Sequence, residues 1–145
     1  SRKLTGEGAM KVLNAAVERA HALNCHVSIA VVDDGGHLIA FTRSEKAELY
    51  SISIAQAKAK SAALTRFPSG KKSPTGNERD DHHALAITLA AGPGSFVTIP
   101  GGFPIFADSE IVGAVAVSGA GIKDVEIAQA AAAALDKNSS NAAAK

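Results

Sequence analysis

The chain has one cysteine, no tryptophan, one tyrosine and five prolines in 145 residues, and each scarcity closes off a class of protein. A lone cysteine excludes an internal disulfide framework and any multi-cysteine metal site. Cys25 itself, placed between a helix and a strand, is expected to be buried rather than reactive. Neither sign of charge is in excess: 15 Lys and Arg against 14 Asp and Glu leave +1. That field is too weak to argue for nucleic acid or an anionic membrane as partner. No apolar run approaches the roughly 20 residues that span a bilayer, and the start of the chain carries no charged-then-apolar leader pattern. A soluble protein in the cytoplasm is expected, although a cleaved leader would leave no trace in the chain as given.

Aromatic residues make up only 4% of the chain while alanine is abundant. Helices built this way pack closely with little bulky fill, and small domains of that kind often bury more apolar surface between copies. We therefore expect a homo-oligomer. The length suits one core and one domain, residues 1–145.

What is present is organised around residues 28–43. Two β-rich runs, Ser28 to Val32 and His37 to Arg43, flank Asp33-Asp34-Gly35-Gly36, where glycine supplies positive φ and an Asp side chain can bond its own backbone two residues on. This spacing predicts a hairpin. Before it, Thr5 is placed to cap a helix over 5–23 whose Met10, Leu13, Val17 and Ala20 recur at helical spacing. Asn24 can take the left-handed conformation that ends it.

After the hairpin, an alanine- and lysine-rich run predicts a second helix over 49–65, with Pro68 helping to end it. Residues 67–80 lack apolar periodicity and predict a surface loop over a site, a candidate lid. A short helix follows over 81–90, capped by Asp80 or Asp81. Runs at 95–100, 105–107 and 111–117 predict three antiparallel strands, and Gly113 marks close approach of another backbone or a ligand. A last helix over 123–136 leads to a frayed tail at 137–145. Clustered strands with segregated helices mean an antiparallel α+β fold rather than a parallel doubly wound one.

Among chemistry-bearing residues, Asp81-His82-His83 is the densest titratable cluster. Neighbouring histidines on a helix point about 100° apart, so the pair cannot form a two-histidine metal site; one of them at a pocket mouth could act as acid, base or axial ligand. The alternative is that both are solvated surface residues. Arg43 and Lys58 could grip a carboxylate, or both could be surface cations paired with Glu45 or Glu48. Gly119-Ala120-Gly121 lacks the third glycine of a dinucleotide loop and makes a strand-to-helix turn, with free amides near Ser118 able to hold an oxyanion. His37 reads as an exposed strand residue; His21 and His26 carry still less signal.

Four ordered segments then resemble one family: Val31 to Arg43, Ser51 to Ala59, Gly101-Gly102-Phe103-Pro104 and Ile111 to Gly119. Together they resemble the GlcG/HbpS family, the haem-binding or haem-degrading domain also found at the C-terminus of PduO-type proteins. The resemblance implies a profilin-like α+β domain with a five-stranded antiparallel sheet and flanking helices, assembled into dimers or octamers. It places Asp33, Gly35, Gly36, Arg43, Lys58, Gly101, Gly102, Pro104, Ser118, Gly119, Asp124 and Glu126 on positions of the family pattern. The chain departs from that pattern at His82-His83, at Ser95 where an arginine is expected, and at Val125 in an acidic pair.

Two functions follow from the resemblance. The first is a small-ligand-binding protein holding haem in a cleft near the 67–83 loop. In it, His82 or His83 is the axial ligand, and Arg43 or Lys58 holds a propionate; Asp33, Gly101, Gly102, Phe103, Ser118 and Gly119 lie around the ligand. The second is a cofactor-free lyase or isomerase of a small aromatic or hydroxy acid, with His82, His83 and Lys58 as the catalytic residues. Neither needs a resident metal held by the protein alone.

Overall fold

The computed structural model describes residues 2–135 and the strand at 143–144. Ten elements follow in order: β1 (Lys3–Leu4), α1 (Gly6–Ala22), β2 (Ser28–Asp33), β3 (Leu38–Arg43), α2 (Ser51–Thr65), α3 (Asp81–Ala91), β4 (Gly102–Ala107), β5 (Glu110–Ser118), α4 (Lys123–Ala132) and β6 (Ala143–Ala144). The main sheet runs β3-β2-β5-β4, every neighbouring pair antiparallel; β1 and β6 form a separate two-stranded ladder. The architecture is the antiparallel α+β class that clustered strands imply. The frayed tail expected at 137–145 falls outside the described residues apart from β6.

The hairpin forms because Asp33 closes it locally. Its Oδ1 accepts from the amides of Gly35 and His37, each at 2.9 Å, and the chain returns with a bulge opposite Val31 and Val32. Period-2 alternation then sends the two faces of the sheet to different helices. Ile29, Val31, Val115 and Val117 pack against α1 and α4 through Val12, Leu13, Ala16, Ile127 and Ala131. Ala30, Val32, Ala114 and Ala116 meet alanines of α2, among them Ala55, Ala59 and Ala62, with Phe41 packed beside them. Small side chains on both surfaces bring α2 close to the sheet. At Gly113 a side chain would collide with the Val32 carbonyl, the close backbone approach that its place in a strand implied.

Local capping sets the helix ends. Thr5 accepts from the Gly8 amide (2.9 Å) and Asp80 from the His83 amide (2.8 Å). Asn24 (φ 55°) and Arg66 (φ 60°) take left-handed conformations just after α1 and α2.

The main sheet has four strands where five were expected. Residues 95–100 form no ladder, and two of their carbonyls are taken by side chains: Val97 by Ser61 (3.3 Å) and Ile99 by Ser69 (2.8 Å). α3 forms where expected, at Asp81–Ala91 with Asp80 as its cap, but its exposure is unusual. Its sequence is apolar nearly all round, which ordinarily marks a buried helix. Yet Ala84 is its one buried residue, and Leu85 and Leu89 are 58% and 71% exposed.

Candidate functional site

A recess lies where α1 hands over to β2. Asn24 turns the chain and the Cys25 amide reaches back to the Ala20 carbonyl (2.8 Å), so β2 leaves tightly from the helix end. The hairpin returns the end of β3 to the same spot: Arg43 pairs with Ser28, and the Ser44 amide bonds the Val27 carbonyl at 3.0 Å. Between them lies a groove of about 490 Å³. That is within the roughly 300–1,000 Å³ of small-molecule sites. Val17, Ala20, Val27 and Ile29 give it an apolar wall, and His21, His26 and Arg43 form its rim.

His26 is held in place. Its Nδ1 lies 3.3 Å from the Ser44 hydroxyl, leaving Nε2 as the ring nitrogen available to a ligand. Behind it, the chain at Gly119 passes so close that a Cβ there would sit 2.9 Å from the His26 carbonyl. Arg43 is exposed and makes no ion pair with Glu45 or Glu48, so its guanidinium is open to an anion at the groove mouth. Cys25 is half-buried in the groove wall rather than buried in the core. His21 sits on the last turn of α1, where a positive charge is favoured by the helix dipole.

The other residues singled out from sequence fall in three places. Lys58, Gly101, Gly102 and Ser118 come together in the interior. Lys58 is 1% exposed, and its Nζ donates to the Val117 carbonyl (2.8 Å) and to Asp124 Oδ2 (3.0 Å); Asp124 Oδ1 accepts from the Ala120 amide at 2.8 Å. Burial pulls the Lys58 pKa below its ordinary value, and the Asp124 carboxylate opposes that shift. The two glycines let β4 pass over this lysine. A Cβ on Gly101 would lie 2.9 Å from Nζ, and one on Gly102 would lie 2.5 Å from the Lys58 carbonyl oxygen. The ammonium therefore ties α2 to the end of β5 and the start of α4. Phe103 packs half-buried against the main core.

Asp33 closes the hairpin turn, accepting also from His37 Nδ1 (3.2 Å). Desolvation raises its pKa, but the His37 and Gly35 amides and the His37 ring outweigh it and hold the carboxyl below the ordinary 3.8.

His82 and His83 stand exposed on the first turn of α3 and are not among the residues lining the groove. The loop before them is tied down. Lys71 reaches Asp81 (2.5 Å), Lys72 and Glu78 form a bridge, and the Arg79 guanidinium lies 5.3 Å over the ring of Phe96. The space beneath, between Ser61, Phe67, Arg79 and Phe96, has no room for a water-sized sphere. That recess under the 67–83 loop is filled, while an open groove lies at the α1–β2 turn. Of the residues expected at a ligand, Arg43 lines it and Gly119 backs it. His21, Cys25 and His26 were passed over, and their signal was position: they surround the turn onto which the hairpin must fold Arg43.

Among the described residues no group of three or more His, Cys, Asp or Glu side chains could hold a metal ion. No described helix is long and apolar enough to cross a membrane.

Known proteins with the same arrangement were found by sequence and by structure. Protein GlcG of Escherichia coli K12 is 38% identical over 121 residues, 79% of this chain and 81% of that protein. The crystal structure of a double mutant of Streptomyces reticuli HbpS superposes with a TM-score of 0.77 at 34% identity, covering 94% of this chain and 89% of that one. A crystal structure of a PduOC–heme complex superposes with a TM-score of 0.72 at 26% identity, covering 92% and 96%. The family model described as "Haem degrading protein HbpS-like" matches residues 4–133. With nine-tenths of its length under that match, the chain belongs to the HbpS-like family.

Proposed function

We propose that the chain binds haem in the groove between the end of α1 and the hairpin. The observation that carries this is the groove itself: an apolar wall rimmed by two imidazoles and a cation, beside a helix end. Those residues fit the group. Val17, Ala20, Val27 and Ile29 would cover an apolar macrocycle, His21 or His26 would ligate the iron, and Arg43 would pair with a propionate. His26 is the better-prepared ligand, its ring held through Nδ1 by Ser44. Bound haem would supply a redox-active iron. The resemblance to a heme-bound PduOC structure and to a family described as haem degrading supports the same reading.

Haemin titration tests it. The native protein is expected to shift the Soret band with saturable stoichiometry, and His26→Ala or His21→Ala to weaken binding or alter the band. Arg43→Gln is expected to weaken binding without changing the band. His82→Ala and His83→Ala, outside the groove lining, are expected to bind as the native protein does. Loss of binding in the α3 variants with the groove variants intact would move the site back to the 67–83 region.

The exposed apolar face of α3 supports a second proposal, that copies of the chain associate through this helix. Leu85 and Leu89 lie on successive turns, one face of the helix, and no described element covers them.

A further inference from the structure

A second recess of about 350 Å³ lies at the opposite end of the hairpin and on the opposite face of the sheet from the groove. Its floor and side are Val32, Leu38 and Ala57. One face of α2 completes it with Ser53, Gln56 and Lys60 at helical spacing, and Gly94 reaches it from the loop after α3. We infer that this recess binds a small hydroxycarboxylate with a short apolar body.

The charge comes from Lys60. It makes no ion pair among the described residues, although the chain is nearly balanced in charge. Its stem is set by the hairpin turn: Gly36, at φ 84°, brings the backbone so close that a Cβ would lie 2.9 Å from Lys60 Cγ. The base of the side chain thus lies against the turn, on a residue that lines the recess.

The polar complement comes from the neighbouring side chains. Ser53 spends its hydroxyl proton on the Tyr50 carbonyl (3.2 Å), and Gln56 spends an Nε2 proton on the Ile52 carbonyl (3.2 Å). Ser53 Oγ keeps its lone pairs, and Gln56 keeps Oε1 and a second Nε2 proton, on two residues that line the recess. A ligand that pairs with this cation and bonds these groups carries an anion and a hydroxyl, which can donate to Oγ or Oε1 and accept from Nε2. An ammonium donor would meet Lys60 at like charge, whereas a hydroxyl would not. The apolar wall then accommodates a short carbon body, and the volume lies in the range of small-ligand sites.

The test uses 3-hydroxybutyrate as probe, followed by amide chemical shifts of the native protein. Butyrate serves as the ligand without a hydroxyl, and 1,3-butanediol as the ligand without a carboxylate. Saturable shifts at Gly36, Lys60 and Gly94 are expected with 3-hydroxybutyrate, with butyrate, the diol and the Lys60→Gln protein each binding about tenfold or more weakly. Lys60→Arg should retain binding. Equal affinity for the diol, unchanged affinity in Lys60→Gln, shifts confined to the Arg43 end of the hairpin, or no saturable shift at tens of millimolar would each overturn the inference. It stands apart from haem binding: excess haemin should leave these shifts unchanged.

Discussion

Lys58→Met removes the ammonium that joins three elements and leaves the Asp124 carboxylate in the interior with only the Ala120 amide. Both partners are nearly inaccessible, with side chains 1% and 7% exposed, so the remaining charge has no water to recover. Breaking a buried pair from one side costs about 3–5 kcal/mol. At ~2–4 °C of melting temperature per kcal/mol for a domain of this size, the midpoint should fall by roughly 6–20 °C. The double variant Lys58→Met, Asp124→Leu removes both charges and replaces them with apolar volume, so it should recover much of that loss. Thermal and urea melts of the native, two single and double proteins give the coupling directly. If Lys58→Met costs under about 1 kcal/mol, or if the two singles simply add, the pair does not hold these elements together.

Gly102→Ala should be severely destabilising despite its size, since the new methyl meets the Lys58 carbonyl at 2.5 Å; a soluble, unshifted melt would contradict the close approach. Thr5→Ala should cost about 1 kcal/mol through loss of the α1 cap, read by urea denaturation. Asp33 has a folded pKa below its ordinary 3.8, so its contribution is present above that value and fades as pH falls through the lower folded one. Acid titration of Asp33→Asn should accordingly show a shallower loss of stability below about pH 4 than the native protein does. Leu85→Asp with Leu89→Asp should lower the mass measured by light scattering while leaving the monomer's circular dichroism intact; an unchanged mass would place the association elsewhere.

Features decided within a few residues were legible in the sequence. The hairpin turn is closed by Asp33 on Gly35 and His37, and the starts of α1 and α3 by Thr5 and Asp80 on amides three residues ahead. What failed to show was decided at long range. Residues 95–100 have strand composition, but Ser61 and Ser69, some 30 or more positions earlier, take two of their carbonyls. Lys58 reads as a cation on an alanine-rich helix, and its partner lies 66 positions away. His21 and His26 look like isolated surface histidines until the hairpin lays Arg43 and Ser44 beside them. The 67–83 loop drew the site toward itself because length and polarity mark functional loops. In the fold its Arg79 lies over the ring of Phe96, from the segment after α3, and the recess between them is filled.

Haemin titration of the native protein beside His21→Ala, His26→Ala and the His82→Ala, His83→Ala double variant bears most directly on the groove. A saturable Soret shift that weakens or changes position in the groove variants, and persists in the α3 variant, is the predicted result. No shift in the native protein, or a shift untouched by either groove substitution, would contradict it.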